Sequence, residues 1–312
     1  MADQTQENYD RATQTAAHLA LVEIALGSVV HALKLPFAGH ALSLNQGFFL
    51  CRSLSPDQSR IQMIKQSVEI STITSLLKSL SPAGNKIGPM LSISMQGFLF
   101  SAGLAFGGIG IIGQIMGMLL LSLWAFVQPL LTLFVIHGLV LATVAEFYWK
   151  RMAQEIPWLA DSLAIVLICV VTIKLILAAS IPILARFSSI EKVEAFQKSL
   201  TQKVGTQMID PNRNKKSVWS GVLHDLTRPL FIFSMVLLVS FFLLTESSYV
   251  RIFWMSLRPL AVAFVIFYLV RAPWFARTLA RLAKKNRYLN QILIKTNQVY
   301  QSVYSAQKTE KK

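Results

Sequence analysis

Apolar and polar positions along this chain come in long blocks, not in the short alternations of a soluble fold. Several apolar blocks approach or exceed the roughly 20 residues that a helix needs to cross about 30 Å of hydrocarbon. Residues 108–144, 159–187 and 229–244 are the clearest. Between the blocks, polar residues gather at short turns instead of forming charged helix faces. The pattern predicts an all-α, polytopic membrane helical bundle with a six-span core and two further spans.

The first span covers about residues 17–35 and ends at the corner Pro36-Phe37-Ala38-Gly39. A shorter segment, about 40–54, leads to a polar stop at 55–60. Residues 61–80 carry Lys65, Glu69 and Lys78, which suits a helix packed among others better than one facing lipid on all sides. Ser81-Pro82-Ala83-Gly84-Asn85-Lys86 then breaks the chain. After a span at 90–106, six glycines fall between Gly103 and Gly117. Two pairs, Gly103/Gly107 and Gly113/Gly117, have the four-residue spacing that lets membrane helices approach closely. They predict a tight turn followed by a close crossing. One long helix is expected from Ile111 to about Glu146, kinked at Pro129. A polar connection at 148–157 and a sixth span at 158–187 complete the core.

Composition then shifts. Residues 188–228 hold seven Lys/Arg and four acids. Ile190, Val193, Phe196, Leu200 and Val204 predict a surface helix, followed by a loop through 210–216. Two further spans are expected at about 229–244 and 252–270. In the tail, Leu289, Ile292, Thr296, Val299 and Val303 form a short heptad-like seam, able to dock on the bundle, a lipid surface or a partner. The expected organisation is a bundle at 1–187, a basic linker at 188–228, a two-span hairpin at 229–271 and a basic tail at 272–312.

Bulk composition agrees with a membrane class. The 312 residues are 54% hydrophobic and 14% charged, where soluble proteins carry about 25% charged residues; mean hydropathy is +0.51. The net charge of +15 adds orientation. Residues 271–312 hold ten Lys/Arg against one acid, Glu310, which predicts a cytoplasmic tail under the positive-inside rule. An even span count puts both chain ends on that side and the Pro36–Gly39 and Ser81–Gly88 turns on the outer face. So basic a tail suits orientation and attraction to anionic lipid. Nucleic-acid binding is not expected, because no folded basic module or interleaved aromatic pattern is present. Cys51 and Cys169 lie in apolar segments without metal-type spacing or a disulfide framework. No cleaved signal peptide is expected, since residues 1–11 are polar and slightly acidic.

Enzyme signatures are absent. The chain has no phosphate-binding glycine loop ending in Gly-Lys-Ser/Thr, no His-Glu-x-x-His and no Gly-x-Ser-x-Gly. Its five histidines never fall at a metal-ligand spacing. Neither catalysis nor a metal or cofactor is expected, so uphill movement of a solute would draw on a partner or an ion gradient.

Polar groups at membrane depth are costly and tend to be functional. Lys174 sits near the middle of the sixth span and Glu23 lies in the first. They are candidates for an intramembrane charge pair, with a structural or a transport role. The outer corners add hydrogen-bonding groups beside apolar ones: His40, Asn45 and Gln46 after the first corner, Asn85 and Lys86 in the second. With Gln96, Trp124 and Gln128 from later spans these could line an outward-facing pocket, since small-molecule sites are mostly apolar with a few placed polar groups. Alternatively the corners only make turns and the amides satisfy backbone groups. Ala16 and Ala20 open the first span with a flat, small-residue stripe.

Together these features resemble the substrate-binding S component of energy-coupling factor (ECF) vitamin transporters, over about residues 16–187. The resemblance rests on the six-span plan, the Ala16/Ala20 pair, outer turns of the type Pro-Phe-Ala-Gly-His-Ala-Leu-Ser-Leu-Asn-Gln, and the glycine-rich connection before the long fifth helix. It implies a vitamin-like small-molecule substrate held by outer turns and later helices. His40, Asn45, Gln46, Asn85, Lys86, Gln96, Trp124 and Gln128 would be the pocket. Ala16 and Ala20 would touch a transmembrane coupling subunit, and separate ATPases would supply energy. The extension at 188–312 is not part of the usual S component. Two other functions fit the residues: a membrane anchor or scaffold whose basic segments bind a partner, and an ion-coupled carrier built on Glu23 and Lys174.

Overall fold

A computed structural model of the chain describes residues 12–20, 22–23, 38–78, 87–188, 218–246, 248–272 and 274. Among the described residues every regular element is a helix. We number them α1 (residues 12–20 and 22–23), α2 (Ala38–Ser53), α3 (Arg60–Lys78), α4 (Ile87–Gly107), α5 (Ile111–His137), α6 (Val140–Glu155), α7 (Pro157–Phe187), α8 (Val218–Leu226), α9 (Pro229–Thr245) and α10 (Tyr249–Arg271). The protein is an all-α helical bundle of the membrane type. Four helical stretches, Gly88–Gly107, Ile111–His137, Pro157–Phe187 and Tyr249–Leu269, are long and apolar enough to cross a bilayer. The α8–α9 pair, bent by 55° at its break, makes a fifth if it counts as one span. The expected first span (17–35), the Ser81–Lys86 corner, the surface helix and loop at 189–217 and the tail from 275 fall wholly or largely outside the described residues.

Two compact units divide the chain. Unit 1 is Met1–Ala125, Lys174–Asn214 and Arg281–Lys312, and unit 2 is Phe126–Ile173 and Lys215–Ala280. Residues 126–173 therefore group with the later helices, which a linear division at residue 187 does not anticipate. The reason is packing: Val144 of α6 shares a core with Leu238 and Phe242 of α9 and Ile252 of α10.

Unit 1 is built around α3. From Gln66 onward α3 has no exposed position, although it is the most polar of the long helices. Several of its hydroxyl and amide side chains bond neighbouring helices. Thr74 Oγ1 donates to the Ala16 carbonyl (3.3 Å), Ser75 Oγ to the Met90 carbonyl (2.9 Å), and Gln66 Nε2 to the Ser53 carbonyl (3.1 Å). In return Gln46 Nε2 of α2 donates to Ser71 Oγ (3.1 Å) and to the Ile93 carbonyl (2.8 Å). Lys78 Nζ donates to the Glu23 carbonyl. Each such bond between membrane helices contributes about 0.6 kcal/mol on average. Residues 61–80 thus form a helix enclosed by others, as their mixed polarity suggests. The apolar core beneath this polar lattice includes Leu19, Leu50, Ile70, Ile73, Phe100, Leu104, Met118 and Leu121.

The α4–α5 hairpin shows what the glycines do. Gly108 turns the chain at φ +81°, a left-handed conformation open to glycine at little cost. Gly103 and Gly107 then face Gly117 and Gly113 across the hairpin. The expected tight turn and close crossing are both present.

Two boundaries differ from expectation. The expected single helix from Ile111 to about Glu146 is divided at Gly138, and Pro129 sits inside α5. Gly138 adopts φ +67° and its amide donates to the Phe134 carbonyl (2.7 Å), so it caps α5 in the left-handed conformation typical of a helix C-terminus. The expected polar connection at 148–157 is mostly helix, because α6 continues to Glu155. Lys150–Glu146 (2.6 Å) and Arg151–Glu155 (2.7 Å) pair at i,i+4 along it. The chain breaks instead at Ile156, and Pro157 opens α7, where its missing N–H costs nothing. Between Leu163 and Leu177, α7 presents exposed Ile165, Val166, Leu167, Ile168, Ile173 and Ile176, a surface suited to lipid.

Candidate functional site

Lys174 carries the most informative polar contact of unit 1. On α7, Lys174, Ala178 and Ala185 are buried in one stripe at helical spacing, so the lysine points into the helices rather than toward lipid. Its side chain is 5% exposed. Nζ lies 2.8 Å from His40 Nδ1 and donates to the Ser122 carbonyl at 2.9 Å. With the lysine as ammonium, Nδ1 accepts and the imidazole proton resides on Nε2. The contact therefore joins α2, α5 and α7 through one cation. Ser122 is a residue the sequence did not single out. It contributes a main-chain oxygen, which no side-chain pattern announces.

Glu23 and Lys174 each make a contact of their own; among the described residues no Glu23–Lys174 ion pair is seen. Lys78 is the cation at Glu23, through the main-chain carbonyl and its charge. Lys78 follows two and a half helical turns of buried polar residues, so it reaches Glu23 from the enclosed helix α3. The sequence marked it only as evidence of an amphipathic segment.

The other expected pocket residues take different places. Gln46 is fully buried and fastens α2 to α3 and α4, a structural use of its amide. Gln96 Nε2 donates to Ser92 Oγ (3.0 Å), one turn earlier in α4. Asn45 Nδ2 and Trp124 Nε1 are buried donors of α2 and α5 with no hydrogen-bond partner. Gln128 is half-buried on α5 and belongs to unit 2. Asn85 and Lys86 lie outside the described residues. Ala16 and Ala20, implied as a contact for a coupling subunit, are 0% and 3% exposed. They pack in the core of unit 1, where Thr74 reaches the Ala16 carbonyl, so this small-residue face is occupied within the chain.

Unit 2 holds two buried polar groupings of its own. At the end of α5, His137 Nε2 lies 3.0 Å from Ser234 Oγ of α9, and its ring stacks on Phe231 at 6.3 Å. Ser234 Oγ donates to the Phe231 carbonyl (2.8 Å), so it accepts from the imidazole and the ring proton is on Nε2. At the α8–α10 contact, Asp225 is 2% exposed, and its Oδ2 accepts from Arg271 Nε (2.9 Å) and Nη2 (2.8 Å). Arg228 Nη2 lies 3.0 Å from Oδ1, as an ion pair without hydrogen-bond alignment. Among the described residues no cluster of His, Cys, Asp or Glu could hold a metal ion. Compared with family models, with curated proteins and with solved structures, the chain matches none.

Proposed function

We propose that this protein is the membrane substrate-capture subunit of a small-molecule uptake transporter, energised by separate coupling and ATPase subunits. In this reading it resides in a bacterial cell membrane with its basic tail in the cytoplasm. The single observation that carries the reading is the Lys174–His40 contact inside a membrane-type helical bundle. A lysine held among apolar helices is expensive to maintain, and such groups mark solute or ion pathways by default. His40 also begins the run of residues that resembles an S-component substrate turn. The vitamin-like class of the solute comes from that resemblance alone.

The test is ligand screening on the purified protein. Vitamins and nucleobases are added singly and thermal unfolding is followed. A raised Tm for one compound, lost in Lys174→Met, is the expected result. No shift across the screen counts against substrate capture.

A second reading, an ion-coupled carrier, is favoured by the same contact, because it sets two proton-binding groups 2.8 Å apart among apolar helices. It differs in needing no other protein. Uptake into liposomes containing this chain alone, abolished by Lys174→Ala, would favour the carrier. Uptake that requires added ATPase subunits would favour capture.

A further inference from the structure

Helix α8 is too short to cross a bilayer by itself, and its sides divide three ways. Its nine residues extend about 14 Å, under half of the hydrocarbon thickness. Gly221, Val222 and Asp225 are buried. Trp219 and Leu223, one turn apart, form an exposed apolar strip. Ser220 and His224, also one turn apart, form an exposed polar strip beside it, which Thr227 continues just past the helix end.

The buried side fixes the level at which α8 sits within unit 2. The Trp219 ring lies 5.8 Å from that of Phe264 and 5.6 Å from that of Tyr268, and Asp225 bonds Arg271. The apolar stretch of α10 ends at Leu269, between these contacts. Phe231, near the start of α9, meets Phe267 at 6.3 Å, so α9 begins where α10 ends. Arg228 and Arg271 thus mark one end of a two-helix hairpin, with Trp219 beside Tyr268 at the same end. Tryptophan and tyrosine concentrate at the headgroup level of membrane proteins. With 17 residues α9 reaches the short end of the range for a span, so it needs no length from α8 to cross. The 55° bend turns α8 off its axis.

Each exposed strip excludes one placement. As part of a crossing, α8 would set Ser220, His224 and Thr227 against hydrocarbon, where polar groups are costly. Standing in water, it would leave Trp219 and Leu223 unburied. At the boundary between the two, both strips meet a matching medium. We propose that α8 lies in the headgroup boundary of the bilayer, with phospholipid covering Trp219 and Leu223 and water covering Ser220 and His224. The exposed Arg228 side chain at this end suits the phosphate charge. The assignment is independent of the capture reading.

Nitroxide labels on neighbouring residues test it, in full-length protein reconstituted into phosphatidylethanolamine–phosphatidylglycerol vesicles. Cys51 is buried, so Cys169→Ala provides a background for single accessible cysteines. Labels are placed at Leu223→Cys and His224→Cys, with Phe233→Cys on the exposed side of α9 as the lipid reference. Collisions with dissolved oxygen report lipid, and collisions with a water-soluble nickel chelate report water. The label at 223 should be shielded from nickel, as at 233, while the label at 224 should collide with nickel several-fold more often. Two shielded labels would mean that α8 crosses with α9. Two nickel-accessible labels would mean that it stands in water. Either result overturns the proposal. If a labelled variant fails to fold, the native indole serves, read as the emission lost in Trp219→Phe. Lipids brominated just below the headgroup should quench it several-fold more than lipids brominated near the chain end, and more than aqueous iodide. Stronger quenching by iodide or by chain-end bromine would overturn the boundary placement.

Discussion

Gly103 of α4 and Gly117 of α5 meet backbone to backbone. A Cβ built on Gly103 collides with the amide nitrogen and Cα of Gly117, and one built on Gly117 collides with the carbonyl oxygen of Phe100. Neither obstacle is the end of a flexible side chain, so neither can swing away. The hairpin is as tight as it is because both positions lack side chains. Gly103→Val should therefore destabilise the folded protein by about 1–3 kcal/mol or more, the range for overpacked sites. Gly110→Ala in the same hairpin is the control. A Cβ there meets nothing within 4 Å, and the change should stay within about 0.5 kcal/mol. Unfolding midpoints in detergent would measure both.

Gln46 separates a structural role from a binding one. Its amide bonds Ser71 and Ile93, and Ser71 comes that close because Gly97 beside it has no side chain. Gln46→Ala should cost about 1–3 kcal/mol, combining lost hydrogen bonds with a small cavity. Gly97→Ala should produce a loss of the same sign by displacing Ser71. If Gln46 is structural, ligand affinity measured well below the unfolding transition should be unchanged. An affinity loss without a stability loss would return Gln46 to the pocket.

How far the sequence foretold this arrangement depends on what kind of signal each residue gives. The helical class was legible because a long apolar block has few alternatives in a bilayer. The enclosed position of α3 was legible too, since a polar helix can persist there only among partners. The break at Gly138 was not. Pro129 and Gly138 both mark discontinuities, and only φ at Gly138 shows where the chain turns. The Lys174 site was half legible. A lysine within an apolar span demands a partner, but the sequence offers every polar residue as a candidate. Glu23 was the electrostatic choice, and Lys78 donates to its main-chain carbonyl. Ser122 was invisible because it acts through its backbone.

Gly138 tests the helix break directly. At φ +67° a residue with a Cβ pays about 1–2 kcal/mol, whatever space surrounds it. Nothing lies within 4 Å of the position a Cβ would take, so strain and not collision is the expected cause. Gly138→Val should lower stability by about that amount or slightly more. Gly138→Asn should lose less, because asparagine visits the left-handed region more readily. Equal losses in the two variants would mean that the side chain, not the backbone, sets the cost.

The Asp225–Arg271 contact makes the sharpest prediction for unit 2. The carboxylate is almost fully buried and receives two hydrogen bonds from one guanidinium, while the Arg228 side chain, 47% exposed, adds a weaker contact from the solvent side. Removing the acid alone takes two hydrogen bonds and a counter-charge from a partly buried cation. Asp225→Ala should therefore cost about 3–5 kcal/mol, the range for breaking a buried pair from one side. Arg228→Ala should cost well under 1 kcal/mol, because an exposed partner is screened and keeps its solvation in both states. Gly221 offers an independent approach, since a Cβ there collides with the Arg271 guanidinium. Gly221→Val should push Arg271 off Asp225 and reproduce much of the Asp225→Ala loss. The double variant Asp225→Ala/Arg271→Met removes the buried cation together with its carboxylate and should be more stable than Asp225→Ala alone. A double variant less stable than Asp225→Ala would mean that Arg271 holds unit 2 together through contacts other than the carboxylate.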